Sequence, residues 1–168
     1  MLGFVRLEDR GATDAFLFAL SEGLEARGLS LAGAVQANVE TRADLKCDMN
    51  LHVLPSREEI CISQRLGAGS RGCRLDPNGL ERAVGLAEAR LNAGADLLIV
   101  NKFGKAELDG GGFRPLVAKA LDLGVPVLTG VAFGNTAAFE TFSGGLAVEV
   151  GASEADVLGW LEAVRAEA

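Results

Sequence analysis

The chain contains no tyrosine, one tryptophan and one histidine. A lone histidine, His52, rules out a multi-histidine metal site, and the shortage of Tyr and Trp leaves few aromatic platforms for stacking bases. Long apolar runs are missing as well: none reaches the ~18–20 residues that a membrane span needs. The opening Met1-Leu2-Gly3-Phe4-Val5-Arg6 lacks the basic head and long apolar stretch of a signal peptide, so a cytoplasmic protein without a membrane partner is expected. Cysteine is sparse. Cys47, Cys61 and Cys73 include no close pair at metal-ligand spacing, and an odd number without a secretion signal predicts reduced thiols. Positive charge is also in deficit, with 16 Lys and Arg against 23 Asp and Glu and a net charge of −7. That balance argues against nucleic acid as a partner, which wants a basic face, but leaves room for a small anion in a local basic pocket.

What is present fits one folded domain over residues 1–168. Hydrophobic residues make up 49% of a chain long enough to bury a real core. Gly3–Leu7 reads as a strand, and Thr13 or Asp14 can cap a helix running to about Arg27, with Gly28 at its end. Leu31–Gln36 is a second strand, so the chain opens as the β-turn-α-turn-β unit that builds parallel sheets. Residues 47–64 alternate on either side of Pro55-Ser56-Arg57-Glu58, the pattern of an antiparallel hairpin. Asp76-Pro77 opens a helix in the preferred order of N-cap then proline. Further strands are expected at Asp96–Asn101, Val125–Val131 and Leu146–Val150. Helices are expected after Phe113, after Asn135 or Thr136, and after Ser153. The architecture expected is a three-layer α/β domain, a mostly parallel sheet with the hairpin inserted.

Ligands bind such sheets outside the carboxyl ends of the strands. Three segments should meet there: Arg6 to Thr13, Asn101 to Lys105, and Gly130 to Thr136. The first can be set against the phosphate loop G-x-x-x-x-G-K-[ST]. Gly11 and Thr13 match, Arg6 and Ala12 replace the first glycine and the lysine, and Glu8 and Asp9 add negative charge. Arg10, Gly11 and Thr13 are its candidate ligand-binding residues; an ordinary strand-to-helix turn is the alternative. In the second segment, the apolar run Leu97-Leu98-Ile99-Val100 ends in Asn101-Lys102-Phe103-Gly104-Lys105. Nucleotide hydrolases carry carboxylates at this edge. Here an amide and an amine stand instead, neither of which is a carboxylate base, and Lys is not a Mg²⁺ ligand. Asn101, Lys102 and Lys105 are candidates for holding an anion, against the alternative of lysines that are merely solvated. A glycine-rich loop, Gly67-Ala68-Gly69-Ser70-Arg71-Gly72-Cys73, supplies a third set. Successive N–H groups can form an anion nest, with the Ser70 hydroxyl, the Arg71 guanidinium and the Cys73 thiol beside it; a surface loop without function is the alternative.

Residues Asp76 to Val131 resemble the nucleoside-triphosphatase family first described in thermophiles. The resemblance rests on Asn101-Lys102-Phe103-Gly104-Lys105-Ala106-Glu107-Leu108 followed by Phe113-Arg114, where that family has Asp-Glu-Ile-Gly-Lys-Met-Glu-Leu and then Phe-Arg. It implies the P-loop NTPase fold. It also implies that the family's Mg²⁺-side aspartate, its glutamate and its loop lysine correspond to Asn101, Lys102 and Ala12, so that the Walker motifs are degenerate. Nearly the whole chain is similar to an uncharacterised bacterial domain family often encoded beside molybdate uptake genes. The stretches that carry this second resemblance are Lys46-Cys47-Asp48-Met49, Gly69 to Asp76 and Val100 to Lys105. It implies a link to molybdenum homeostasis by association.

The function expected is therefore a non-hydrolysing protein that binds an oxyanion or a phosphate-bearing ligand without Mg²⁺, with molybdate or a nucleotide as candidate ligand and no certain cofactor. A homo-oligomer or a component of the molybdate system is the protein partner expected. Two alternatives stand beside this reading: a residual nucleoside triphosphatase or phosphotransferase using Asp9, Asp14 or Glu107 as base, and an adaptor subunit with no small-molecule site that uses a sheet edge or the hairpin.

Overall fold

A computed structural model describes residues 1–9, 11–39, 48–64 and 75–166, apart from the side chains of residues 38, 39 and 48. Its elements follow in the order β1 (Leu2–Val5), α1 (Ala12–Ala26), β2 (Leu31–Val39), β3 (Asp48–Val53), β4 (Glu58–Cys61), α2 (Pro77–Asn92), β5 (Leu97–Val100), α3 (Lys105–Leu108), α4 (Arg114–Asp122), β6 (Val127–Gly130), a 3₁₀ turn (Phe133–Asn135), α5 (Thr136–Ser143), β7 (Val148–Glu149) and α6 (Glu154–Ala166). The seven strands form one sheet in the order β4-β3-β2-β5-β6-β1-β7. Pairing is parallel from β2 through β7, and the β3–β4 hairpin adds an antiparallel end. No described helix is long and apolar enough to cross a membrane.

The layers follow from strand alternation. Leu97 and Ile99 join Leu31, Val35 and Leu128 under α1 and α6, where Leu17, Leu20, Leu24, Val157 and Leu161 meet them. Leu98 and Val100 turn the other way, into a larger core with Leu80, Ala83, Ala87, Leu116, Val117 and Phe139 from α2, α4 and α5. Both faces of the central strands are therefore covered, which is why β5 reads as an unbroken apolar run and β6 is buried along its whole length. The Asp76 side chain accepts the Asn78 N–H to cap α2, as the Asp-Pro order predicts.

Several boundaries differ from those expected, for local reasons. β2 runs to Val39 because β3 pairs with its second part, from Ala34 opposite Val53 to Val39 opposite Asp48. β6 starts at Val127, since Pro126 has no N–H to give the ladder; its carbonyl still accepts from Leu98. The single turn α3 had no helical period to reveal it. It forms because the buried Glu107 carboxylate accepts the N–H groups of Gly104 and Phe113, 2.9 and 3.1 Å away. The last strand shrinks to two edge residues beside β1.

Gly33 sets the central pairing of β2 with β5. It lies opposite Ile99 with φ +110°, and a Cβ there would stand 1.9 Å from the Ile99 carbonyl oxygen. No L side chain fits without separating the strands. Gly33→Ala should therefore cost ~3 kcal/mol or more, read as a lower midpoint in urea unfolding; a change within ~0.5 kcal/mol would contradict this account of the pairing.

Candidate functional site

The carboxyl ends of β1, β5 and β6 open onto a cavity of about 320 Å³, completed by the loop before α1. Gly11 starts α1 with φ 80°, a left-handed conformation that suits glycine, and no side chain caps the helix. The Thr13 hydroxyl turns back to accept the Leu7 N–H at 3.2 Å, closing the loop on itself. A Cβ on Gly130 would meet the Asn101 carbonyl oxygen at 2.6 Å and the Thr13 methyl at 2.7 Å, so the absent side chain is what lets α1 sit against the ends of β5 and β6.

Residues 101–103 alternate in, out, in. Asn101 and Phe103 are buried and Lys102 is exposed. Phe103 is held by an N–H bond to the Gly130 carbonyl and by rings of Phe139 and Phe142 at 5.1 and 4.6 Å. The Asn101 amide is engaged at both ends: Oδ1 accepts the Gln36 N–H of β2 at 2.7 Å and Nδ2 donates to Asp14 of α1 at 2.9 Å. Lys102, between these two anchored neighbours, lines the cavity and has no ion-pair partner among the described residues.

Arg6 occupies the place of a phosphate loop's first glycine, and its side chain leaves the loop altogether. It forms a two-pronged pair with Glu149 of β7, at 3.0 Å from Nε and 2.5 Å from one terminal nitrogen, and donates to the Thr136 hydroxyl at 3.2 Å. The hydrogen bond to Glu149 and that carboxylate's charge raise the Arg6 pKa above its ordinary value.

The structure thus brings Gly11, Thr13, Asn101 and Lys102 together around one cavity. Lys105 lies elsewhere, on a second and more apolar cavity of about 200 Å³ between the hairpin, α2 and α3, whose wall shares Asn101 and Lys102 with the first. Arg10, Ser70, Arg71 and Cys73, together with Cys47, lie outside the described residues. Cys61 is exposed between the buried Ile60 and Ile62. His52 stacks edge-on against Phe18 at 5.2 Å, as an ordinary strand side chain does. Sequence reasoning missed Asp14 as the partner of Asn101 and Phe133 as a wall of the cavity. Phe133 carried a signal: it lies within Gly130 to Thr136, the segment expected to meet at the site, although no residue there was singled out.

Residues 2–160 match the family model described as "Protein of unknown function (DUF2478)". The chain belongs to this family. It is 34% identical over 133 residues to the molybdenum import ATP-binding protein ModC 2 of Bradyrhizobium diazoefficiens, an alignment covering 79% of this chain but only 15% of that much longer protein. Among solved structures it is similar to a human cancer-related nucleoside triphosphatase, with a TM-score of 0.64, 18% identity and coverage of 97% and 94% of the two chains. The chain shares the fold of that structure, a mostly parallel α/β sheet with an antiparallel hairpin at one end, in line with the fold that the resemblance implied.

The Asn101 amide tests the site directly. In Asn101→Asp the new carboxylate has no N–H for Asp14, and two carboxylates would meet in a buried setting. A cost of about 2 kcal/mol at pH 7 is expected. Crowding raises the folded-state pKa of the pair above the unfolded value, so the folded state binds the extra proton. The penalty then shrinks as pH falls toward 4 and grows as pH rises through that folded pKa. Urea unfolding at pH 4.5 and 7.5 reads it; an equal penalty at both would contradict the contact.

Proposed function

We propose that this chain binds a small oxyanion or a phosphate-bearing ligand without hydrolysing it, and that it serves molybdenum homeostasis. The observation that carries the reading is Lys102: an exposed ammonium without an ion-pair partner among the described residues, fixed at a strand end in a cavity beside the N-terminus of a 15-residue helix. A helix N-terminus adds partial positive charge and N–H donors to such a place.

The residues do not fit the Mg²⁺-nucleotide machinery of the fold. Phosphoryl transfer draws its charge stabilisation from Mg²⁺ and the loop lysine. Ala12 stands where that lysine would be, the Asn101 oxygen already accepts the Gln36 N–H, and Lys102 repels a cation. Glu107 is buried, and both its oxygens are spent on backbone N–H groups that hold the turn of α3, away from the first cavity. The Walker motifs are accordingly read as degenerate. Glu8, Asp9 and Asp14 also line the cavity, against Lys102 as the cation among its described residues. This balance disfavours a triphosphate and favours a ligand of low charge. The molybdenum role rests on the relative's name: a molybdenum import ATP-binding protein contains a stretch like this chain. A component of the molybdate uptake system is the partner this reading implies.

Thermal unfolding with molybdate, tungstate, sulfate and phosphate, each with and without Mg²⁺, tests the proposal. A ligand at 100 times its dissociation constant adds about 2.7 kcal/mol, a midpoint rise of roughly 5–10 °C for a domain of this size. The rise should be independent of Mg²⁺ and lost in Lys102→Ala. An unchanged rise in that variant would overturn the role of Lys102.

A further inference from the structure

Phe133 is the exposed one of the eight phenylalanines, 53% accessible, while Phe4, Phe103, Phe113 and Phe139 are buried. An exposed phenylalanine alone means little. This one lines the 320 Å³ cavity, and it is held rigidly there. The Arg6 guanidinium lies over its ring, 5.0 Å from the centroid, and is itself 5.4 Å from the ring of Phe4. Glu149 grips that guanidinium from β7, and Thr136 accepts a further bond from it. The turn carrying Phe133 is stapled as well, by the Thr136 hydroxyl on the Phe133 carbonyl at 2.9 Å and by the Asn135 N–H on Ala132 at 2.9 Å. One ring face is therefore backed by a cation that is fixed in turn, and Phe133 still contributes to the cavity wall.

We propose that Phe133, backed by Arg6, is the stacking platform for the planar heterocycle of a singly phosphorylated ligand whose phosphate lies at Lys102. This rests on the anion-binding reading of the same cavity and names its ligand class. Three observations select the class. The cavity stands at the lower end of the volume range of small-molecule sites. Three carboxylates line it, so one phosphate is better tolerated than three. Lys102 follows β5 and Phe133 follows β6, neighbouring strands of the sheet, so the charged contact and the flat contact stand at separate points of one cavity wall. A bare tetrahedral oxyanion has no use for an aromatic face. A nucleoside monophosphate, or another phosphorylated flat heterocycle, has.

Isothermal titration of the intact protein with AMP, GMP, ribose 5-phosphate, inorganic phosphate and molybdate tests this, since ribose 5-phosphate keeps sugar and phosphate but has no base. The expected result is that AMP or GMP binds at least about fivefold more tightly than ribose 5-phosphate, that Phe133→Ala removes this advantage, and that Phe133→Trp keeps it and shows fluorescence quenching on binding. Lys102→Ala should weaken every one of these ligands. If ribose 5-phosphate, phosphate or molybdate binds as well as the nucleotides, or Phe133→Ala leaves nucleotide affinity unchanged, the platform is overturned and the anion reading stands. If none of these ligands nor molybdate binds, both are overturned.

Discussion

The bridge made by the Asn101 side chain is the constraint on which the rest of the site depends. Its oxygen takes a backbone N–H of β2 and its nitrogen gives to a carboxylate in the first turn of α1, so one amide ties both to the end of β5. Only a side chain that donates and accepts at once can do this. A carboxylate there would leave Asp14 facing a like charge. The residue that departs from the nucleotide-hydrolase pattern is thus the one that locks the strand end, and its burial makes the lock costly to break. Lys102 and Phe103 inherit their directions from it: one outward into the cavity, the other inward to the aromatic core.

Charge then limits what the cavity can do. Its described residues offer one ammonium and three carboxylates, and Arg6, just past the end of β1, is spent on Glu149 and on a ring. A cradle for a triphosphate concentrates positive charge and backbone donors; here the loop before α1 instead carries Glu8 and Asp9 and closes through the Thr13 hydroxyl. On the proposed reading, the fold of a nucleoside triphosphatase here carries Asn101 and Lys102 at the strand end in place of the carboxylates that phosphoryl transfer uses.

Much of the fold could be read from the sequence, because it rests on local or periodic signals. The apolar run Leu97–Val100, the hairpin on either side of Pro55 and the cap Asp76-Pro77 each announce their element. The site was legible only as a set of strand ends. Asn101 reads as a group pointed at a ligand until Gln36 and Asp14, 65 and 87 residues away, are seen to occupy it. Arg6 reads as a missing glycine until Glu149, 143 residues on, gives it a partner. Lys105 reads as a second cation for the ligand of Lys102, yet the turn of α3 carries it out of the first cavity and onto another whose wall Lys102 shares. Phe133 is hidden by composition: among eight phenylalanines, only packing tells which one is left in the open. For Asn101, Arg6 and Phe133 the deciding contact is long-range, and neither spacing nor propensity encodes it.

The central claim is that this fold has kept a ligand cavity and lost hydrolysis. Single-turnover phosphate release from γ-labelled ATP and GTP, with protein in excess and saturating Mg²⁺, tests it most directly. The account predicts release no faster than in protein-free buffer. Release that exceeds this background, and that disappears on adding EDTA, would contradict it.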